Sequence, residues 1–384
     1  MNALLKKLEG DKVIWFVTII LSLLSILVVY SASGSLAYKY AGGNTEKYLM
    51  RHMTLVGLGI AATYVCHKID YKYYSKISRF ALLLSVPLLL FAWKFGTELN
   101  SATRWISIPF IDFTFQPSDL AKVALITNMA SMLWKRQRSI KEFQKAIIPL
   151  LLWAGVICGL IGLSDISTAA LLFCTAMLIL FMGRVPVKYL VMLVIIGVLA
   201  GGFAYTFGQR AATAGSRLKA FLDTSEVPYQ AQQSYIAIAG GGVTGKGVGQ
   251  STQRNFLPHS YSDFIFAIVI EEYGLIGAGV LIVLYLVLLY RGVHIVAYSQ
   301  EAFGGILAAG LIFSIVLQAF VHMGVVTGLL PLTGLPLPML SMGGTSLMFT
   351  GMTMGIILSV SRGSKKGVNR PISGKNQFRR EQAT

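Results

Sequence analysis

The feature that most constrains this chain is a succession of apolar runs, each near the length that carries a helix across a lipid bilayer. Hydrocarbon offers no partner to a backbone N–H or C=O, so an apolar run of about 20 residues is read as a spanning α-helix. Ten such runs occur, at about 12–33, 50–68, 78–94, 117–135, 145–163, 166–183, 187–207, 263–290, 303–328 and 341–361. They predict an all-α polytopic membrane protein whose ten helices pack their apolar faces into one bundle. The composition agrees: of 384 residues, 55% are hydrophobic and only 13% charged.

A formal net charge of +17 would suit a nucleic-acid binder, but its placement follows the membrane instead. With the amino terminus assigned to the cytoplasm, 22 of the 33 Lys and Arg fall on that side, 10 fall opposite, and Lys122 lies within a span. The positive-inside rule then predicts both termini in the cytoplasm. The expected division is a cytoplasmic N-terminus at 1–11 and one membrane domain at 12–361, with a long outer loop at 208–262 between the seventh and eighth helices. A basic cytoplasmic tail at 362–384 would lie near anionic headgroups. Lys6, Lys7 and Lys12 before a run ending Ser31-Ala32-Ser33 imitate a cleavable signal. That run is long enough to span and nine more follow, so it is read as a retained first helix. Cys66, Cys158 and Cys174 are odd in number and unpaired in spacing, which indicates neither a disulfide framework nor a thiolate metal site.

Ionisable groups within such helices are costly, and each marks a place where protein or water must receive it. In Gln116-Pro117-Ser118-Asp119-Leu120-Ala121-Lys122, Pro117 suits a first helical turn and Asp119 and Lys122 share a face. They are either a self-neutralising pair or one wall of a substrate cavity. Arg104-Trp105 sits at an outer interface, as an aromatic-belt anchor or as a planar fork for phosphate. Asp165, between two apolar runs, either caps the following helix or points into the bundle. Asp263 opens the eighth span with Glu271 and Glu272 behind it. Residues eight apart fall near one helical face, so Asp263 and Glu271 read as a polar stripe beside a cavity, where a carboxylate can act as general base.

Two irregular segments complete the pattern. Gly240 to Gly245-Lys246 has the spacing of a phosphate-binding P-loop, but Gly247 stands where Ser or Thr is required and no strand precedes it. The segment is therefore read as backbone that must turn tightly or approach a ligand closely. Pro331, Pro336 and Pro338 ahead of Ser341-Met342-Gly343-Gly344-Thr345-Ser346 read as a rigid re-entrant stretch, either structural or lining the same cavity.

Taken in order, these segments resemble the SEDS family of bacterial envelope proteins, named for shape, elongation, division and sporulation. The resemblance runs from Tyr30 to Ser346. It rests on Arg104-Trp105, Gln116-Pro117-Ser118-Asp119 with Lys122, Asp165 with Thr168, Arg217 and Phe221 with Gln233-Ser234, and the glycine loop. Asp263-Phe264-Ile265-Phe266-Ala267, Glu271-Glu272-Tyr273-Gly274 and the run Ser341 to Ser346 complete it. The pattern from Leu218 to Asp223 and Gly249-Gln250-Ser251 leans toward the division-specific FtsW branch.

The resemblance implies a peptidoglycan glycosyltransferase of the bacterial inner membrane, at the division septum, that polymerises lipid II with inversion and releases undecaprenyl pyrophosphate. It makes Asp263 the candidate base and Arg104 and Lys122 the candidate cations for the departing pyrophosphate. The other substrate-binding candidates are Trp105, Gln116, Ser118, Asp119, Asp165, Thr168, Arg217, Gln233, Ser341, Gly343, Gly344 and Ser346. A divalent cation, Mg or Mn, is admissible, although no ligand cluster requires one. The implied partners are a class B penicillin-binding protein acting as transpeptidase, other divisome proteins and membrane lipids, with no nucleic acid. The chain departs from the family where Pro-Glu and a His usually precede the loop aspartate: here Pro258 is followed by His259, and Tyr261 holds the His position. Leu163, Ser164 and Ser167 replace Gln, Pro and Gly around Asp165, and His322 stands where Asn is common. Two rival functions remain in view. A lipid II flippase or other transporter would depend most on Asp119, Lys122 and Asp165, and a division-site scaffold would depend on the cytoplasmic ends.

Overall fold

The computed structural model describes residues 9–34, 45–99, 102–108, 113–140, 142–207, 211–222 and 227–368. The expectations for Lys6, Lys7, Asp223 and the tail from residue 369 lie outside them. Three helices come first, α1 (Lys12–Ala32), α2 (Thr45–Lys68) and α3 (Tyr71–Phe95). A small antiparallel sheet follows, of β1 (Thr97–Leu99), β2 (Ala102–Ile108) and β3 (Phe113–Phe115) in that order. Next come α4 (Pro117–Lys135), a π turn (Phe143–Ile147) leading into α5 (Ile148–Ser164), α6 (Ile166–Met182) and α7 (Val187–Phe207). Two short helices, α8 (Ala211–Leu222) and α9 (Tyr229–Gly241), lie in the long connection. The chain then runs through α10 (Ile265–Ala297), α11 (Ala302–Val326) and α12 (Gly344–Val368).

Each of the ten expected runs is helical. By length and hydropathy, seven described helices suffice to cross a membrane: α1, α2, α3, α5 with its leading turn, α10, α11 and α12. Those criteria leave out α6 and α7, whose apolar helical stretches are shorter, and α4, which carries Asp119, Lys122 and Lys135. The sheet was not foreseen. Its middle strand pairs Trp105 with Thr97 on one side and Ile106 with Phe115 on the other, and it bridges α3 and α4.

The bundle is built around α11, which has no Asp, Glu, Lys or Arg and is the most enclosed of the crossing helices. It packs against α4, α6, α10 and α12. The most extensive helix pair is α2 with α12. Their backbones meet so closely that a Cβ on Gly351 would stand 2.2 Å from the Gly59 carbonyl oxygen, and Thr63 donates its hydroxyl to the Gly351 carbonyl at 2.9 Å. Small residues permit this approach, and dispersion and an interhelical hydrogen bond then hold the pair where lipid supplies no hydrophobic force. Where α1 begins, Asp11 caps it through the amides of Val13 and Ile14. The same carboxylate pairs with Arg291 of α10.

At 33 residues, α10 would be about 50 Å long at 1.5 Å per residue, well beyond the roughly 30 Å of bilayer hydrocarbon. It is broken at Gly274, whose φ of +66° is left-handed. The glycine loop takes over the backbone bonds the break releases. Lys246 and Gly247 amides donate to the carbonyls of Glu271 and Glu272 at 2.9 and 3.1 Å, while Leu275 donates to Gly242 at 3.0 Å. A Cβ on Gly274 would come within 2.2 Å of the Val243 oxygen, and one on Gly245 within 2.2 Å of the Glu272 oxygen. Thus the glycines serve a backbone-to-backbone interlock with α10.

Glu271 and Glu272 belong to this interlock. Lys246 Nζ lies 2.6 Å from Glu271, and the Thr252 amide and hydroxyl donate to it at 3.1 and 2.9 Å. Glu272 accepts from the Ser31 hydroxyl of α1 and the Ser251 amide. The expected stripe joining Asp263 to Glu271 is therefore corrected: Asp263 precedes the first helical residue, Ile265, so helical periodicity does not relate the two.

Between α11 and α12 the chain is not helical, and its carbonyls are satisfied from neighbouring elements, as burial demands. Gln318 donates to Pro336 at 2.8 Å, Ser25 to Leu340 at 2.7 Å, and Tyr285 to Pro338; His322 Nδ1 lies 2.7 Å from the Leu335 carbonyl. These bonds fix the conformation of the stretch that holds Pro331, Pro336 and Pro338.

Candidate functional site

A cavity of about 270 Å³ opens where the sheet, the re-entrant stretch and the turn before α10 meet. Of the expected site residues, Arg104, Trp105, Gln116, Asp119, Lys122, Asp165, Thr168, Asp263, Gly343, Gly344 and Ser346 line it. Segments from distant parts of the sequence therefore converge, each delivered by a local device. Strand β2 presents Arg104 and Trp105. Pro117 starts α4, which puts Asp119 in its first turn. Asp165 settles its two readings by satisfying both: it caps α6 through the Thr168 amide at 3.1 Å and hydroxyl at 2.9 Å, and it pairs with Arg104 at the cavity wall.

Four expected residues are placed elsewhere. Ser118 is buried and accepts from the Gln116 amide group at 2.9 Å. Arg217 on α8 reaches the carbonyls of Leu332 and Thr333, both at 3.3 Å, and so braces the re-entrant stretch. Gln233 lies on α9 away from the lining; its neighbour Ser234 ties α9 to the Val326 carbonyl at 2.8 Å. Ser341 accepts from the Leu337 amide at 2.8 Å and donates to the Ser262 carbonyl at 2.7 Å, which fixes the turn that holds Asp263.

The lining also includes Tyr48 and Arg51 of α2, Thr114, Gln318, His259 and Tyr261. Gln318 carried a readable signal, an amide within an apolar span. Tyr48 and Arg51 lie at the start of α2; Tyr48 precedes the expected run at 50–68 and Arg51 stands at its edge.

The charges are arranged in pairs. Lys122 Nζ is 2.8 Å from Asp119, with the side chains 15% and 4% exposed, and Arg104 pairs with Asp165 at 13% and 6%. Buried charges of this kind persist only when paired. Each pair nevertheless leaves a buried polar atom without a protein partner, Arg104 Nε and Asp119 Oδ2. Asp263 differs: it stands in the turn before α10, its amide bonded to the His259 carbonyl at 3.0 Å. The re-entrant stretch closes on it so tightly that a Cβ on Gly334 would meet its Oδ2 at 3.3 Å. Burial pushes the Asp263 carboxyl above the usual carboxylate range, while His259, the Ser262 hydroxyl, Arg104 and Arg217 draw it back. A carboxyl raised by burial in this way holds a proton more readily than an exposed one, as a general base must. Among the described residues, no group of three or more His, Cys, Asp and Glu converges to hold a metal ion. Asp119 and Asp165 are each engaged by a cation of the protein.

Fold and site together define a multi-pass membrane protein with a charged chamber at one end of its bundle. The family model described as "Cell cycle protein", FTSW_RODA_SPOVE, matches residues 11–366, and the chain belongs to this SEDS family, on its FtsW-like side. It is 37% identical over 366 residues to the probable peptidoglycan glycosyltransferase FtsW of Geobacter metallireducens, covering 93% of this chain and 96% of that one. Stage V sporulation protein E of Bacillus subtilis is 32% identical over 370 residues, covering 94% and 99%. Among solved structures, the fold matches a chain from work on structural coordination of polymerization and crosslinking by a peptidoglycan synthase complex. That match has a TM-score of 0.71 at 23% identity, covering 92% of this chain and 98% of that one. Rod shape determining protein RodA of Thermus thermophilus matches with a TM-score of 0.65 at 22% identity, covering 92% and 97%.

Proposed function

We propose that this chain is the peptidoglycan glycosyltransferase of cell division, polymerising lipid II into glycan strands. The observation that carries the reading is the placement of Asp263, a carboxylate raised by burial in a cavity where Arg104 and Lys122 are held by Asp165 and Asp119. Its role is to take the proton from the acceptor's sugar hydroxyl as that oxygen attacks the donor's anomeric carbon. The bond to undecaprenyl pyrophosphate breaks from the opposite face, so the configuration inverts. Arg104 and Lys122, held by Asp165 and Asp119, are preorganised cations for the charge that develops on the leaving diphosphate. At about 270 Å³ the cavity falls just below the roughly 300–1,000 Å³ typical of ligand pockets, so it receives the reacting end of the substrate while the polyprenyl tail stays in lipid.

The same reading sets the chain in the bacterial inner membrane at the septum, with both termini cytoplasmic and the cavity facing outward. A class B penicillin-binding protein and other divisome proteins are its partners; the names of the FtsW relatives and of the synthase complex support this. The test supplies the purified protein, with its cognate class B transpeptidase, with fluorescent lipid II in detergent. Glycan ladders are expected, and their loss in Asp263→Ala. No ladder under any partner condition overturns the polymerase reading, whereas a ladder undiminished by Asp263→Ala overturns only the role of that residue.

A further inference from the structure

A second, smaller space of about 40 Å³ adjoins the chamber, between α4, α11 and α12. The two share a mouth, since Asp119, Lys122, Gln318 and Ser346 border both. Beyond that mouth the lining turns largely apolar, with Val123 and Ile126 of α4, Leu311 and Ile315 of α11 and Phe349 of α12. Ser314 adds one hydroxyl. Thr350 and Thr353 border the space as well, but their hydroxyls donate to the Ser346 and Phe349 carbonyls of their own helix, both at 2.7 Å. Their polar demand is therefore met within α12.

Gln318 stands at the shared mouth, 7% exposed, with its amide oriented by the backbone. The Pro336 carbonyl can only accept, so the group that meets it at 2.8 Å is the NH2 end of the Gln318 side chain. The Oε1 end remains as an acceptor, and among the described residues none donates to it. A buried acceptor of this kind is costly until a ligand supplies the missing donor.

We propose that the smaller space is the subsite for an acetamido group on the sugar that carries the diphosphate, with Gln318 Oε1 accepting its N–H and the recess taking its methyl. The identity of the sugar rests on the polymerase reading. In that reading Lys122 meets the diphosphate, which is bonded to the anomeric carbon. The neighbouring ring carbon then lies nearest the shared mouth, and in lipid II its substituent is acetamido. That group joins a polar N–H to an apolar methyl, matching a lining that is polar at the mouth and apolar beyond it. A space of about 40 Å³ suits a methyl and disfavours a longer acyl chain. Gln318 is thus a specificity-determining residue.

The test compares lipid-linked substrates that differ only at that ring carbon: acetamido, acetoxy, which lacks the N–H, and propionamido, which adds a methylene. Polymerisation by the full-length protein with its class B transpeptidase gives kcat/KM for each. The parent is expected to prefer acetamido over acetoxy by about 10- to 100-fold, and over propionamido by about tenfold. In Gln318→Met the acetoxy discrimination should collapse while the propionamido penalty stays. In Ile315→Ala, which widens the recess, the propionamido penalty should collapse while the acetoxy discrimination stays. These are ratios between substrates on one protein, so a variant that is partly unfolded leaves them unmoved. Displacement of fluorescent lipid II by the three compounds gives the same ratios without turnover. A parent that does not discriminate overturns the subsite. Discrimination against acetoxy retained in Gln318→Met overturns the role of Oε1, and a propionamido penalty retained in Ile315→Ala overturns the recess. Ladders formed with no acetamido preference would sink the subsite and leave the polymerase reading standing, whereas the preference in binding without ladders would do the reverse.

Discussion

Arg104 on the small sheet and Asp165 at the start of α6 form a buried ion pair that joins the sheet to the helical bundle. The same carboxylate caps α6 through Thr168. Asp165→Asn preserves a capping side chain but leaves the Arg104 guanidinium uncompensated, for an expected loss of about 3–5 kcal/mol. Asp165→Ala is expected to lose about 1 kcal/mol more with the cap. Thermal unfolding in detergent, followed by intrinsic fluorescence, checks both the size and the order.

Asp263 trades stability for chemistry. Burial raises the Asp263 carboxyl above the ordinary carboxylate value, so the unfolded chain releases this proton more readily than the folded protein, and at neutral pH that difference favours unfolding. Asp263→Asn is expected to unfold at a higher temperature than the parent near pH 7. That advantage should shrink as pH falls through the raised pKa and vanish below the unfolded value of about 4. Turnover by the same variant should fall by about 100- to 10,000-fold. Unfolding scans across pH, paired with ladder assays, measure the two effects on one protein.

Ser341 acts one step behind the site. Ser341→Ala strands the Leu337 amide and the Ser262 carbonyl, each worth about 1–3 kcal/mol when buried without a partner. Because Ser262 adjoins Asp263, kcat is expected to fall with KM little changed, as steady-state polymerisation would show.

At the α10 break, Gly274→Ala would place a Cβ 2.2 Å from the Val243 oxygen at a φ of +66°. The conformation alone, with ψ at −165°, costs a side-chain-bearing residue about 1–3 kcal/mol and the clash adds to it. Hydrogen exchange should rise across residues 243–255 before it rises elsewhere in the protein.

The sequence displayed the helices and most of the cavity because both follow from the same cost, that of placing polar groups in hydrocarbon. Asp119, Lys122 and Asp165 were conspicuous for that reason, and all three line the chamber. The sheet was invisible because its strands are short and sit at an interface, where hydropathy carries no period. Glu271 was misplaced because a wheel drawn from Asp263 assumed helix two residues too early and could not show that the glycine loop would come to meet it. Ser341 and Arg217 were legible as important positions, but their effect is exerted through backbone carbonyls, which no side-chain pattern announces.

The interlock of the glycine loop with α10 also bears on inheritance and on engineering. Neither partner is complete alone, since each supplies the backbone groups and the missing side-chain volume that the other requires. A chimera that exchanges residues 240–250 with a relative must carry residues 270–276 in the same transplant. Between relatives, this part of the molecule is expected to behave as one transferable unit with two addresses in the sequence.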